Sequence, residues 1–177
     1  SNQKWDKSFE FQADDVHLDQ LYSPSFYQQA TSLRGSIMLL GPLLGRYRKA
    51  MVPQPGGDKK GRRRLDTHFT GMELGAEVIY KQYGCMADGS NCMSGYEVTV
   101  DDKLNGCYIL LDEASVTGTA NIIMASVLAQ GETVIMNAAC EPYVYQLCNM
   151  LNRMGANIKG AGTDSIRILG VTKLHGT

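Results

Sequence analysis

The chain has 177 residues, 44% of them hydrophobic, with 19 glycines and 5 prolines, which excludes a disordered or collagen-like polymer and leaves one ordinary domain or two small ones. Seventeen basic residues against eighteen acidic ones give a formal charge of −1, which argues against a general nucleic-acid coat. No apolar run reaches the ~18 residues of a membrane span, since Ile37–Leu40 is interrupted by Gly41-Pro42, so a soluble, core-forming protein is expected.

Residues 1–15 read as a lead-in and the end of a preceding unit, with strand character at Phe9-Glu10-Phe11. So early a strand suggests a piece of something longer. Leu33, Ile37, Leu40, Leu44 and Tyr47 then follow helical spacing, with a bend expected at Pro42. Lys49–Val52 predicts a strand closed by Pro53 and Pro55. The loop Gly56–Gly61 leads into Arg62-Arg63-Arg64 and a second helix over Leu65–Leu74, which Gly75 should stop. Strands are expected at Val78–Tyr80 and Tyr96–Val100, with Gly84–Gly95 as a hairpin tip between them.

The same order then returns. Cys107–Leu111 reads as a strand, Val116, Ala120, Ile123 and Val127 as a helix face, and Thr133–Met136 as a strand. Glu141-Pro142 opens a helix that Gly155 stops, and Ile166–Ile168 alternates as a final strand. Ser32–Ser36 matches Ser115–Thr119 at an offset of 83, and Leu74–Val78 matches Met154–Ile158 at an offset of 80. The fold class is therefore α/β with mixed sheets, in two β-α-β-α-β-β units over 16–103 and 104–177 that share a core. Only the first unit carries the basic glycine loop.

Five cysteines (85, 92, 107, 140 and 148) form no Cys-x-x-Cys pair, so no metal site is expected. The odd set suits a reducing cytoplasm better than a disulfide-stapled secreted domain. Cys107 and Cys148 lie in apolar patterns and read as small core residues.

Two stretches have the chemistry of an anion site. Pro55–Arg64 places five basic residues in six positions beside glycines at a helix start. Glycine admits close backbone approach, and arginine forks bind carboxylate or phosphate. A solvated basic loop and a nucleic-acid patch are the competing readings. Asp112–Thr119 joins a strand to a helix whose first N–H groups suit a phosphate, or which Asp112 or Ser115 simply caps. Glu113 would repel an anion there. Arg34, flanked by Gly35 and Ser36, is a further candidate, while His17, His68 and His175 stand isolated.

The ordered motifs Leu33-Arg-Gly-Ser-Ile37, Leu40-Gly-Pro-Leu-Leu-Gly-Arg46, Pro55-Gly-Gly57, Arg63-x-x-Asp66-x-His68, Ala114-Ser-Val116, Asn137-Ala-Ala-x-Glu-Pro142, Leu151-x-x-Met-Gly-Ala156 and Gly162-Thr-Asp164 resemble the UDP-N-acetylglucosamine 1-carboxyvinyltransferases. The resemblance covers nearly the whole chain. It implies an enolpyruvyl transferase prism, an inside-out α/β barrel of three such units per domain. Two units of one domain would be present, the second domain of the same chain would be the partner, and the piece alone would fold without turning over.

The resemblance also implies the roles. Phosphoenolpyruvate and UDP-N-acetylglucosamine would be the substrates, with no cofactor, no nucleic acid and no membrane. The reaction would open peptidoglycan synthesis in the cytoplasm, and so serve the cell wall, cell shape and division. Asp58 falls at the family's loop-cysteine position, implying a catalytic role and resistance to fosfomycin. Its carboxyl could act as general acid only if protonated, with Arg62–Arg64 lowering its pKa and burial raising it. Arg34 matches a substrate-binding arginine. Arg63, Arg64, Leu65, Asp66 and Thr67 match the substrate-lining stretch, and Glu113, Ala114, Ser115, Val116 and Thr117 match the helix start that receives the nucleotide. Arg64, Leu65, Thr67 and Glu113 depart from the usual residues. The alternatives are a 5-enolpyruvylshikimate-3-phosphate synthase and a non-catalytic anion-binding module.

Overall fold

Ser23 starts the first helix, α1 (Pro24–Ser32), by accepting the Phe26 N–H on its Oγ at 3.2 Å, with Pro24 in the first turn where its missing N–H is harmless. Apolar spacing does not reveal α1, although the Ser-Pro pair signals it. The structure is a computed structural model that describes residues 9–54, 68–69, 74–89 and 91–177. The single helix expected from Leu33 is divided. Leu33 is extended, Arg34–Leu39 winds as a 3-10 segment, and α2 (Leu40–Tyr47) continues as an α-helix. Pro42 lies in the first turn of α2, just past the junction of the two segments, where a missing N–H costs no intrahelical bond.

After α2, β1 (Lys49–Pro53), β2 (Glu77–Tyr83) and β3 (Met93–Thr99) form an antiparallel sheet in the order β1-β3-β2. The second sheet holds β4 (Tyr108–Leu110), β5 (Glu132–Met136), β6 (Asn157–Lys159) and β7 (Ser165–Leu169) in the order β4-β5-β7-β6. Only the β4–β5 pairing in it is parallel. Between its strands run α3 (Val116–Ser126) and α4 (Pro142–Arg153). The order β1-β3-β2 is that of β5-β7-β6, and Lys49 and Glu132 open β1 and β5 at the expected offset.

Gly75 and Gly155 have φ of +97° and +99°, a left-handed conformation that costs a side chain free energy. Gly155 closes α4 with paired bonds, its N–H to Asn152 O at 3.1 Å and the Ala156 N–H to Leu151 O at 3.0 Å. The helix expected over Leu65–Leu74 lies mostly outside the described residues, although His68 and Phe69 are helical.

Two expectations are corrected. Phe9-Glu10-Phe11 is not a strand: Phe9 and Phe11 are 77% and 92% exposed, and no described strand pairs with them. Cys85 and Cys92 form a disulfide, against the expectation of unpaired thiols. Pairing of Tyr83 with Met93 ends the β2–β3 ladder just before them and brings the two sulfurs together across the hairpin tip. Cys148 is buried, and burial pushes its thiol up to about 11. Cys107 is half-buried and packs against the core, while Cys140 is exposed.

One helix lies inside, and strands of both sheets show side chains to the outside. α3 buries eight of its eleven residues, whereas Tyr80, Tyr108, Leu110 and Leu169 are exposed on strands. Met51 and Val98 of the first sheet and Ile109, Ile135, Ile166 and Ile168 of the second share one core with Leu40, Leu44, Ile122 and Ile123. The N-terminal segment is held to the first sheet by Glu97, which accepts the Tyr22 hydroxyl and pairs with Lys81 at 3.1 Å and Lys49 at 3.5 Å. The Tyr22 hydrogen bond, then the two lysines, hold the Glu97 carboxyl below its usual range. No described helix is long and apolar enough to cross a membrane.

α2 and α3 meet backbone to backbone. A Cβ on Gly41 would lie 2.4 Å from Asn121 O, and one on Gly45 would lie 3.2 Å from Met124 O. The two contacts advance together along both chains, so the helices run in the same direction. Gly41→Ala gains about 1 kcal/mol of helix propensity but drives a methyl into main chain that cannot move alone. A net loss of about 1–3 kcal/mol is expected. Chemical denaturation measures it, and a stability equal to or above the parent's contradicts this packing.

Candidate functional site

Parallel packing of two repeated units brings equivalent positions to the same end. Arg34 and Thr117 are such a pair, each in the first turn of helical structure in its unit. Of the two candidate caps, Ser115 starts α3, its Oγ accepting the Gly118 N–H at 3.1 Å. Glu113 and Ala114 are exposed just before it, Val116 packs partly against the core, and Thr117 is exposed. Arg34 is half-buried at the start of the 3-10 segment.

The turns behind α3 are fixed by side chains of the Asn137–Pro142 motif and of α3. Asn137, at φ +59°, donates its amide to Leu111 O at 2.8 Å, and Thr119 Oγ1 accepts the Ala139 N–H at 3.0 Å. Glu141 and Pro142 open α4 as expected. These bonds anchor the strand ends on which the α3 N-terminus stands.

His68 joins the two halves, and the sequence reading leaves it isolated. It is 2% exposed, with Nδ1 2.8 Å from Asn121 Nδ2 and Nε2 3.3 Å from Thr117 Oγ1. These partners lie 53 and 49 residues away, so no local spacing could show them. Asn121 also donates to Ile37 O at 2.9 Å and accepts the Gly41 N–H on Oδ1 at 3.0 Å. An amide nitrogen has two protons to give, and here they go to Ile37 O and His68 Nδ1. Nδ1 is therefore the bare acceptor, and the ring proton is on Nε2, facing Thr117. Burial first, and the Arg34 charge second, push the His68 pKa down to about 4. The imidazole is neutral near pH 7.

The described site therefore combines an arginine, a helix N-terminus and a neutral, fully bonded histidine, which suits an anionic ligand. Asp58, Arg63, Arg64, Leu65, Asp66 and Thr67 lie outside the described residues. Of the sequence candidates, Arg34 and Thr117 are brought together around His68.

The profile of EPSP synthase (3-phosphoshikimate 1-carboxyvinyltransferase) matches residues 2–177. The chain is 55% identical over 171 residues to the UDP-N-acetylglucosamine 1-carboxyvinyltransferase of Bacteroides thetaiotaomicron, covering 96% of this chain and 37% of that protein. The enzyme of the same name from Porphyromonas gingivalis is 54% identical, with 94% and 36% covered. Among solved structures, EPSP synthase from Acinetobacter baumannii superposes with a TM-score of 0.59 at 23% identity, covering 83% of this chain and 31% of that one. The enolpyruvyl transferase NikO from Streptomyces tendae gives 0.59 at 19%, covering 93% and 35%. At such identities these two show the fold, which is the expected enolpyruvyl transferase architecture. The chain spans little more than a third of the length of the curated relatives it matches. With its profile matched from residue 2 to the last residue, the chain belongs to the EPSP synthase family of carboxyvinyltransferases.

Proposed function

We propose that the full-length protein carrying this chain transfers the enolpyruvyl group of phosphoenolpyruvate to the 3′-hydroxyl of UDP-N-acetylglucosamine and releases phosphate. The observation that carries this reading is 55% identity over 96% of the chain to a transferase of that name. Synthesis of 5-enolpyruvylshikimate 3-phosphate is the second reading, supported by the family profile alone. The reaction would commit precursors to peptidoglycan in the cytoplasm.

In this reading a proton adds to the methylene carbon of phosphoenolpyruvate, and the sugar hydroxyl attacks the adjacent cationic carbon and gives up its proton. Phosphate then leaves as a methyl proton is lost, restoring the double bond. Arg34, Arg63 and Arg64 supply fixed donors for carboxylate and phosphate charge. Asp58 is the acid–base group, Leu65, Asp66 and Thr67 line the substrates, and Glu113–Thr117 receive the nucleotide at the α3 N-terminus. Residues 16–103 and 104–177 are two repeat units of one domain, and the rest of the protein closes the cleft. A closing cleft needs both walls.

Titration of UDP-N-acetylglucosamine and of shikimate 3-phosphate into the full-length protein tests the substrate. Saturable binding of the nucleotide sugar alone is expected. Binding of shikimate 3-phosphate alone would reverse the order of the two readings, and binding of neither would favour a non-catalytic module.

Fosfomycin tests the role of Asp58. A thiolate opens an epoxide readily, whereas a carboxylate is a much poorer nucleophile. The full-length enzyme should keep its activity after incubation with the drug and UDP-N-acetylglucosamine, and Asp58→Cys should lose it. A covalent adduct on the unmutated loop, seen by mass spectrometry, would contradict the assignment.

A further inference from the structure

Asn121 is fully buried in α3, yet neither polar atom of its side chain is spent on its own helix turn. Oδ1 takes the Gly41 N–H at 3.0 Å, one proton of Nδ2 goes to Ile37 O at 2.9 Å, and the other faces His68 Nδ1 at 2.8 Å. The three partners belong to the 3-10 segment, to α2 and to the helical residue that follows the basic loop in sequence. Reversing the amide would set N–H against N–H at Gly41 and oxygen against oxygen at Ile37, so one orientation alone satisfies the set. The approach of α2 is close enough for a short amide to span it because Gly41 has no Cβ.

We propose that Asn121 is a positioning residue for substrate binding: its amide holds the Ile37–Gly41 turn and the His68 ring in one arrangement, and through them sets Arg34 at the α3 N-terminus. Arg34 opens the 3-10 segment that contains Ile37, and its charge acts on His68. Without the two donors of Asn121, the Ile37 carbonyl and His68 Nδ1 are left buried without these partners, and both must move to find others. Such movement displaces Arg34 without removing any group that touches the reacting atoms. The effect therefore belongs in substrate affinity and not in the chemical step. This inference rests on the reading that Arg34 binds a substrate anion.

The test is a double-mutant cycle in the full-length enzyme, with kcat and KM measured for both substrates. Arg34→Lys keeps the charge, loses the fork, and is expected to raise KM for at least one substrate tenfold or more. Asn121→Asp keeps an acceptor for Gly41 and loses both donors. It should raise KM for that same substrate about tenfold, with kcat within threefold, and add no more than twofold on top of Arg34→Lys, because residues acting through one another are not additive. Asn121→Thr, smaller and uncharged, goes through the same cycle, so that a folding failure of the aspartate variant leaves the test in place. If Arg34→Lys leaves both KM values unchanged, the Arg34 reading falls and the inference with it. If Arg34→Lys acts but the Asn121 variants leave KM unchanged, lower only kcat or stability, or multiply fully with Arg34→Lys, the inference alone is overturned.

Discussion

The contact between α2 and α3 at Gly41 is the constraint on which the structure turns. With no Cβ in the way, two main chains approach until the Asn121 amide of one helix reaches the N–H and C=O groups at the start of the other. The shared core of the two sheets follows, because helices this close must be covered on both flanks. Met51 and Val98 cover one side, and Ile109, Ile135, Ile166 and Ile168 the other. Any residue larger than glycine at position 41 separates the helices, the amide and the site together.

The charge pattern follows from the same contact. Two units packed in the same direction set their helix starts side by side, and partial positive charge accumulates at that end. Arg34 adds a full charge. A protonated histidine between them would add a buried cation beside Arg34 and set N–H against N–H at Asn121. The bonding pattern removes that option by demanding a bare Nδ1. The site keeps its positive character through arginine and the helix start, and its internal support stays neutral. Preorganised donors of this kind favour charge that develops on a bound phosphate or carboxylate.

Much of the fold could be read from the sequence, because the features that fix it are local or periodic. Helical spacing marks α3 and α4, alternation marks β3 and β7, and the left-handed glycines at 75 and 155 are visible in the repeat itself. The repeat offsets anticipate the equivalence of β1-β3-β2 with β5-β7-β6. What escaped is non-local. Apolar spacing runs unbroken from Leu33 to Tyr47 and cannot tell a 3-10 turn from an α-helical one. The strand character of Phe9–Phe11 comes to nothing without a neighbour to pair with. Cys85 and Cys92 meet only because the β2–β3 register brings them together. His68 looks isolated in sequence because its partners are about fifty residues away. Arg34 and Thr117 belong to recognisable motifs, whereas the buried amide of Asn121 belongs to none.

The most direct test of this account is the titration of His68 in the full-length protein, followed through its ring proton resonance by NMR. The folded value is depressed, so stability contributed by the neutral ring is complete above about pH 6.5 and is lost as pH falls toward 4. A midpoint near pH 4 is expected, with the ring neutral and Nε2-protonated throughout the physiological range. A midpoint near 6.5, the ordinary histidine value, would contradict a His68 ring that is buried and held by Asn121.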